Sequence, residues 1–115
     1  MIRKAEEMFK EIKEQMRGGK GSVELTHAFT REDMHGKARL CAKIMLNPGC
    51  SIGLHNHENE DEIFYIMKGK ALVDDNGEKQ EVHPGDAIIT GGGDYHSIEN
   101  AGDEPTELLA VIILY

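Results

Sequence analysis

The sequence contains no long apolar segment, no tryptophan and little cysteine. Its longest apolar run, residues 108–115, has eight residues, whereas a membrane-spanning helix needs about twenty. The two cysteines, Cys41 and Cys50, do not form a CxxC pair, and nothing in their spacing indicates a disulfide framework. We therefore expect no membrane partner, and we predict reduced, buried thiols in a cytoplasmic protein.

Basic residues are also scarce. Thirteen lysines and arginines against 21 aspartates and glutamates give a net charge of −8 with neutral histidines. A surface of this sign repels a phosphate backbone, so nucleic acid is not an expected partner. The 115 residues are enough for one compact domain and too few for two. Any functional site must therefore be built within one core.

The first part of the chain has apolar residues at three- and four-residue steps, which is the period of an amphipathic helix. They are Ile2, Ala5, Met8, Phe9, Ile12 and Met16. Glu6 and Lys10 form an i,i+4 pair, and two consecutive glycines, Gly18 and Gly19, supply a helix stop. The pattern predicts one α-helix over residues 2–17, within an N-terminal segment of residues 1–21.

The apolar period changes to two after Gly21, which is typical of half-buried strands. Apolar and polar residues alternate over residues 23–29, and further short runs are separated by turn signals such as Asn76-Gly77. Many strands of about five residues with glycine at the corners favour a small barrel or jelly roll over a βαβ sheet. We predict an all-β fold in which residues 22–115 form a single barrel domain.

Four residues in the middle of the chain have the chemistry and spacing of metal ligands. His55 and His57 form an HxH pair on a predicted strand, where residues i and i+2 point to the same face about 6.6 Å apart. Glu62 opens the next predicted strand, and His96 begins another after the glycines at 91–93. The acidic residues between His57 and Glu62 are expected to face solvent. Three imidazoles and one carboxylate make a complete ligand set.

These ligand types indicate one divalent transition metal ion. Imidazole nitrogens with a single carboxylate oxygen suit Mn, Fe, Co, Ni, Cu or Zn, and they suit calcium and magnesium poorly. A six-coordinate ion would keep two positions open for water or ligand, whereas a closed tetrahedral site would only staple the barrel. A lone histidine is more often an ordinary core or surface residue, so the joint spacing carries this prediction.

The same residues resemble the two motifs of the cupin family. The first motif reads glycine, five residues, HxH, three or four residues, glutamate, six residues, glycine. The second reads glycine, five residues, PxG, two residues, histidine, three residues, asparagine. The matching positions are Gly49, His55, His57, Glu62, Gly69, Gly85, Gly93, His96 and Asn100. Gly91 stands where the second motif usually has proline. The resemblance covers roughly residues 38–114.

The resemblance implies a double-stranded β-helix, a conical barrel with the ion near one open mouth, and commonly a homodimer. It implies far less about the reaction. Cupins include dioxygenases, oxalate decarboxylases and oxidases, sugar-phosphate isomerases, epimerases and non-catalytic sensing or storage modules. Fold analogy does not choose among them.

Two further residues are candidate substrate-binding groups. Phe64 shares a face with Glu62 and is placed to stack on a ligand, and His27 shares a face with Val23 and Leu25, where it can act as a general base or hydrogen-bonding group. For each, the alternative is an ordinary core residue. The other inward positions are aliphatic, so we expect a mostly apolar pocket wall.

Together these features predict a small metalloenzyme. In this hypothesis the ion polarises a small anionic, carboxylate-like molecule, and the chemistry is oxidative or decarboxylative, since no strong second general acid or base is visible. One carboxylate on a divalent ion leaves a formal charge of +1, which favours an anion. The alternative is a non-catalytic module that binds or senses the same small molecule.

Overall fold

The structure, a computed structural model that describes residues 1–115, is built almost entirely of β-strands. The ten strands are β1 (Phe9–Glu14), β2 (Ser22–His27), β3 (Ala38–Leu46), β4 (Ser51–Asn56), β5 (Glu60–Lys68), β6 (Ala71–Asp75), β7 (Glu78–Val82), β8 (Ala87–Gly91), β9 (Tyr95–Glu99) and β10 (Thr106–Leu114). Two 3-10 turns, Ala5–Glu7 and Met16–Gly18, flank β1. None of the helical segments has the length and apolar character that crossing a bilayer requires.

The strands form two antiparallel sheets around one core. The larger sheet has the order β1-β2-β3-β10-β5-β8, and the smaller has the order β4-β9-β6-β7. Thirteen buried apolar side chains, contributed by both sheets, make up the core. Two predicted features are confirmed by this arrangement: the all-β barrel, and the turn at Asn76-Gly77, where both residues have positive φ and join β6 to β7.

The predicted N-terminal α-helix over residues 2–17 is wrong. Residues 9–14 form strand β1, which pairs with β2 from Phe9 opposite His27 to Glu14 opposite Ser22. This pairing uses partners far along the chain, including an ion pair between Lys10 and Glu24, which local helical periodicity does not report. The expected apolar stripe is split, because residues three apart on a strand point to opposite sides.

The N-terminal segment becomes part of the barrel wall through a close contact with β4. A methyl group added at Gly53 would collide with the carbonyl oxygen of Arg17, and one added at Gly19 would collide with that of Ser51. Glycine is required at both positions because two backbones touch there. The Ser51 amide also donates a hydrogen bond of 2.9 Å to the carbonyl oxygen of Lys20.

Asn100, the last residue of the second motif, has a structural role. Its side chain is buried, and its Nδ2 donates to the carbonyl oxygens of Leu46 at 2.9 Å and Glu104 at 2.7 Å. Its Oδ1 accepts a hydrogen bond from the amide of Gly102 at 2.9 Å. Both the nitrogen and the oxygen of this buried amide are hydrogen-bonded. The residue therefore joins the end of β3 to the loop that precedes β10.

The two cysteines are free thiols, and no disulfide joins them. Each is half-buried, where full burial was expected. Desolvation raises the pKa of the Cys41 thiol, which therefore stays protonated near neutrality.

Candidate metal centre

The structure brings the four predicted ligands to one point. His55, His57, Glu62 and His96 each offer one ligand atom, and these atoms lie within 4.8 Å of one another. His55 on β4 stands directly opposite His96 on β9. Three of the four side chains are buried, and His55 is nearly so. The assembly therefore has the shape expected of a ligand cluster whose members come from different strands.

His57 lies just beyond β4, and the glycine-rich corner fixes its main chain. Its amide donates to the carbonyl oxygen of Asp94 at 3.0 Å, and its carbonyl oxygen accepts from the amide of Gly93 at 2.8 Å. Gly92 and Gly93 have positive φ values of 65° and 93°, which glycine adopts without strain. The corner therefore positions one metal ligand and leads directly into His96.

A β-bulge shapes the strand that carries His55. The register between β4 and β9 shifts between Ile52 and His55. On a regular strand, residues three apart point to opposite faces, yet Ile52 and His55 both line the same cavity. The bulge therefore lets β4 contribute an apolar wall and a metal ligand to one side of the sheet.

The distances between ligand atoms fit a metal ion. The Nε2 atoms of His57 and His96 are 3.0 and 3.1 Å from Glu62 Oε1, and they are 3.1 Å from each other. His55 Nε2 is 3.2 Å from His96 Nε2. Ligands about 2.1 Å from an ion lie about 3.0 Å apart at right angles and about 3.4 Å apart at the tetrahedral angle. The short contacts are close to these spacings, and His55 Nε2 lies farther from Glu62 Oε1, at 3.9 Å.

Hydrogen bonds on the far side of two rings direct their lone pairs to the same point. His57 Nδ1 donates to Glu60 Oε2 at 2.5 Å, and His55 Nδ1 donates to the carbonyl oxygen of Gly53 at 2.7 Å. Because carboxylate and carbonyl oxygens only accept, both rings carry hydrogen on Nδ1 and a lone pair on Nε2. Lone pairs directed at one point repel each other, and a proton or a metal ion between them offsets that repulsion.

His96 is oriented by packing, since its buried Nδ1 makes no hydrogen bond. Phe64 lies flat against it, with ring centroids 4.9 Å apart and an interplanar angle of 8°. Phe64 itself is 1% exposed, and it is not among the residues that line the cavity beside the ligands. The structure therefore places this predicted substrate-binding residue behind a metal ligand.

The charge states of the cluster follow from its hydrogen bonds. Burial raises the pKa of Glu62, but the hydrogen bonds that His55, His57 and His96 donate when their rings are protonated outweigh it and hold that pKa far below its usual range. Hydrogen bonding to Glu62, followed by that to Glu60, raises the pKa of His57 against desolvation. Glu62 is therefore ionised, and protons compete with a metal ion for His57 as the pH falls.

Glu60 is the functional residue that sequence reasoning missed, since the acids between His57 and Glu62 were expected to face solvent. Its side chain is only 12% exposed and lies between His57 and Arg39. The hydrogen bonds from Arg39, together with that from His57, lower the pKa of Glu60 to about 2 despite desolvation. The available signal was that metal-bound histidines usually donate their second N–H to a carboxylate.

A cavity of about 620 Å³ opens beside the ligands. His55, His57 and Glu62 form part of its wall. Six of its sixteen lining residues are apolar and the others are polar or charged, so the wall is of mixed character where a mostly apolar one was expected. The N-terminal segment, which was predicted to be a helix, supplies charged side chains including Lys13 and Arg17. A cavity of this volume with many polar groups in its wall suits a small hydrophilic ligand.

His27 lines this cavity, as expected of a candidate substrate-binding residue. Its Nε2 is 2.9 Å from Glu11 Oε1, and its ring stacks on that of Phe9 with centroids 5.7 Å apart. Strand β1 supplies both partners. The segment that the sequence pattern predicted as a helix therefore orients His27 as a strand. The ring is held in place through its Nε2 contact and its stacking.

Comparison with known proteins identifies relatives in sequence and in fold. Residues 42–112 match the family described as cupin domain. An oxalate-binding protein of Thermotoga maritima is 48% identical over 114 residues, which cover 99% of this chain and 94% of that protein. The crystal structure of a predicted oxalate decarboxylase from Thermotoga maritima has a TM-score of 0.96 at 48% identity, with both chains fully covered.

A more distant relative shares the fold alone. The cupin domain of Schizosaccharomyces pombe Cnp3 has a TM-score of 0.74 at 18% identity, covering 91% of this chain and 69% of that one. The double-stranded β-helix predicted from the two motifs is thereby confirmed. The family match includes strands β4 to β9 and all four ligands, and the chain belongs to the cupin family.

Proposed function

We propose that the protein binds a divalent transition metal ion at His55, His57, Glu62 and His96 and, through that ion, a small dicarboxylate of the oxalate type. The carrying observation is the convergence of four ligand atoms within 4.8 Å at the wall of a polar cavity. Bound there, the ion would supply Lewis acidity and open positions for chelation. Among the charged side chains of this cavity, which also include Glu11 and Glu14, Lys13 and Arg17 are the proposed partners of carboxylate oxygens that face away from the ion.

The names given to a similar sequence and to a similar solved structure, both from Thermotoga maritima, support the choice of ligand class. One is called an oxalate-binding protein and the other a predicted oxalate decarboxylase, and each is 48% identical to this chain. Both cover essentially the whole chain, including the N-terminal segment that lines the cavity. Oxalate is therefore the first ligand to test.

The test compares metal-loaded protein with protein stripped by a chelator. Titration calorimetry with oxalate should give binding only to the loaded form. Acetate, which lacks the second carboxylate, should bind roughly tenfold more weakly or worse, since losing one charge-assisted contact costs about 1.5–3 kcal/mol. Equal affinity of oxalate for the stripped protein would contradict the proposal.

Turnover of the bound anion is the enzymatic form of this proposal. Decarboxylation of the oxalate dianion breaks the carbon–carbon bond, releases CO₂, and leaves an electron pair on carbon that takes one proton to give formate. His27, held by Glu11 at the cavity wall, is positioned to deliver that proton. The alternative is capture without turnover, and formate and CO₂ assays on loaded protein separate the two.

We also propose that the protein forms a homodimer through the outer face of the larger sheet. Exposed apolar side chains from neighbouring strands share this face, with Tyr65 and Met67 on β5, Ile89 on β8 and Ile113 on β10. An apolar patch across adjacent strands is typical of an interface. A second copy is the proposed partner because two-fold homodimers bury such a patch against itself.

Analytical ultracentrifugation tests this interface. The unmodified protein should sediment as a dimer, and the double variant Tyr65→Arg with Ile89→Arg should sediment as a monomer with its metal content retained. Leu54→Arg is the matched control, because Leu54 is 56% exposed on the smaller sheet. A monomeric unmodified protein at high concentration would remove the proposal.

A further inference from the structure

Arg39 and Glu60 form a connected pair behind one metal ligand. The Arg39 guanidinium donates two hydrogen bonds to the Glu60 carboxylate, from Nε to Oε1 at 2.8 Å and from NH2 to Oε2 at 2.7 Å. The same Oε2 accepts the Nδ1 hydrogen of His57 at 2.5 Å. The three side chains thus make a continuous path from the cavity wall, which includes Arg39, to the ligand cluster.

The pair bridges two strands of the larger sheet across the strand between them. Arg39 is on β3 and Glu60 opens β5, and these strands lie on either side of β10. Neighbouring strands are about 4.8 Å apart, so the Arg39 side chain reaches across roughly two strand spacings. A two-pronged guanidinium–carboxylate contact fixes the carboxylate in position and in plane. Glu60 therefore cannot rotate away from His57 without losing Arg39.

The three histidine ligands differ in what holds their outer nitrogen. His57 donates to a carboxylate, His55 donates to a neutral carbonyl oxygen, and His96 Nδ1 has no hydrogen-bond partner. A negatively charged acceptor at the outer nitrogen increases the basicity of the nitrogen that faces the metal more than a neutral acceptor does. His57 is thus set apart from the other two imidazoles.

We infer that Arg39 and Glu60 are positioning residues that make His57 the strongest of the three histidine donors and thereby set the metal affinity of the site. The inference rests on the metal-binding part of the proposed function. It predicts that the two residues act as a unit, since Arg39 reaches His57 only through Glu60.

The experiment measures Co²⁺ affinity by titration calorimetry for the unmodified protein and its variants. Glu60→Gln should weaken Co²⁺ binding about 10- to 100-fold, and Arg39→Gln should weaken it by a smaller factor. Arg39→Gln should add little in the Glu60→Gln background, because the path is already broken. The control Glu58→Gln removes an exposed acid from the same turn, bonded only to Asn56, and should leave affinity unchanged.

A second readout uses the metal-free protein. Long-range proton–nitrogen NMR spectra report which nitrogen of His57 carries hydrogen, and Glu60→Ala should reduce the Nδ1–H form while leaving that of His55 intact. Unchanged Co²⁺ affinity and an unchanged His57 tautomer in the Glu60 variants would overturn the inference, even if the unmodified protein binds Co²⁺ well. Failure of the unmodified protein to bind Co²⁺ would instead remove the metal site itself.

Discussion

His57→Ala and His96→Ala are each expected to lower bound divalent metal roughly tenfold or more. Loss of the carboxylate or amide that orients a ligand already costs about 10- to 100-fold in affinity, and loss of the ligand itself removes a bond to the ion. Both side chains are almost fully buried and lie 3.1 Å apart at Nε2, so no neighbour can replace either one. Elemental analysis of protein purified from its own host measures the effect.

His83→Ala is the control for these two variants. His83 is exposed and contacts Glu81 at the surface, away from the cluster, so its replacement should leave metal content intact. Full metal occupancy in both His57→Ala and His96→Ala would show that the four residues do not hold the ion. Circular dichroism of each variant separates loss of metal from loss of fold.

Phe64→Ala is expected to lower the free energy of unfolding by about 3–5 kcal/mol, because it leaves a cavity where a large side chain was buried. Phe64→Leu should cost less, since it keeps much of the volume while it removes the flat contact with His96. Since no hydrogen bond holds the outer nitrogen of His96 and the Phe64 ring packs flat against it, the leucine variant should also bind Co²⁺ more weakly. Urea denaturation and titration calorimetry measure the two effects.

The leucine variant also distinguishes the two roles considered for Phe64. If the ring orients His96, metal affinity falls and the loaded variant binds oxalate as the unmodified protein does. If the ring contacts the ligand, oxalate affinity falls and metal affinity does not. The second result would contradict the positioning role and restore the substrate-binding prediction.

The ligand set was predictable because its signal is local. HxH, the following glutamate and the histidine after the glycine run each lie near the start or end of a strand, and strand alternation fixes which way they point. The Asn76-Gly77 turn was predictable for the same reason, since its backbone conformation is specified by two adjacent residues. Turn residues and strand-end motifs depend on neighbours a few positions away, so distant contacts change them little.

The N-terminal strand was not predictable in this way. Its apolar spacing favours a helix, and the interactions that override this preference come from β2, which lies outside the segment. The prediction that Glu60 faces solvent was wrong for a related reason, because its partner Arg39 is 21 positions away in the sequence. The bulge in β4 likewise depends on β9. The cytoplasmic location and the homodimer stay predictions.

The ligand cluster and one side of the cavity wall come from different parts of the chain. All four ligands lie within residues 42–112, which match the family, whereas Lys13, Arg17 and His27 precede that stretch. Mutations at these three positions can therefore alter which molecule enters the cavity without changing any member of the ligand cluster. Relatives with the same ligand cluster can in this way diverge in ligand preference through changes in strands β1 and β2 alone, with Arg39 and its partner Glu60 kept in place.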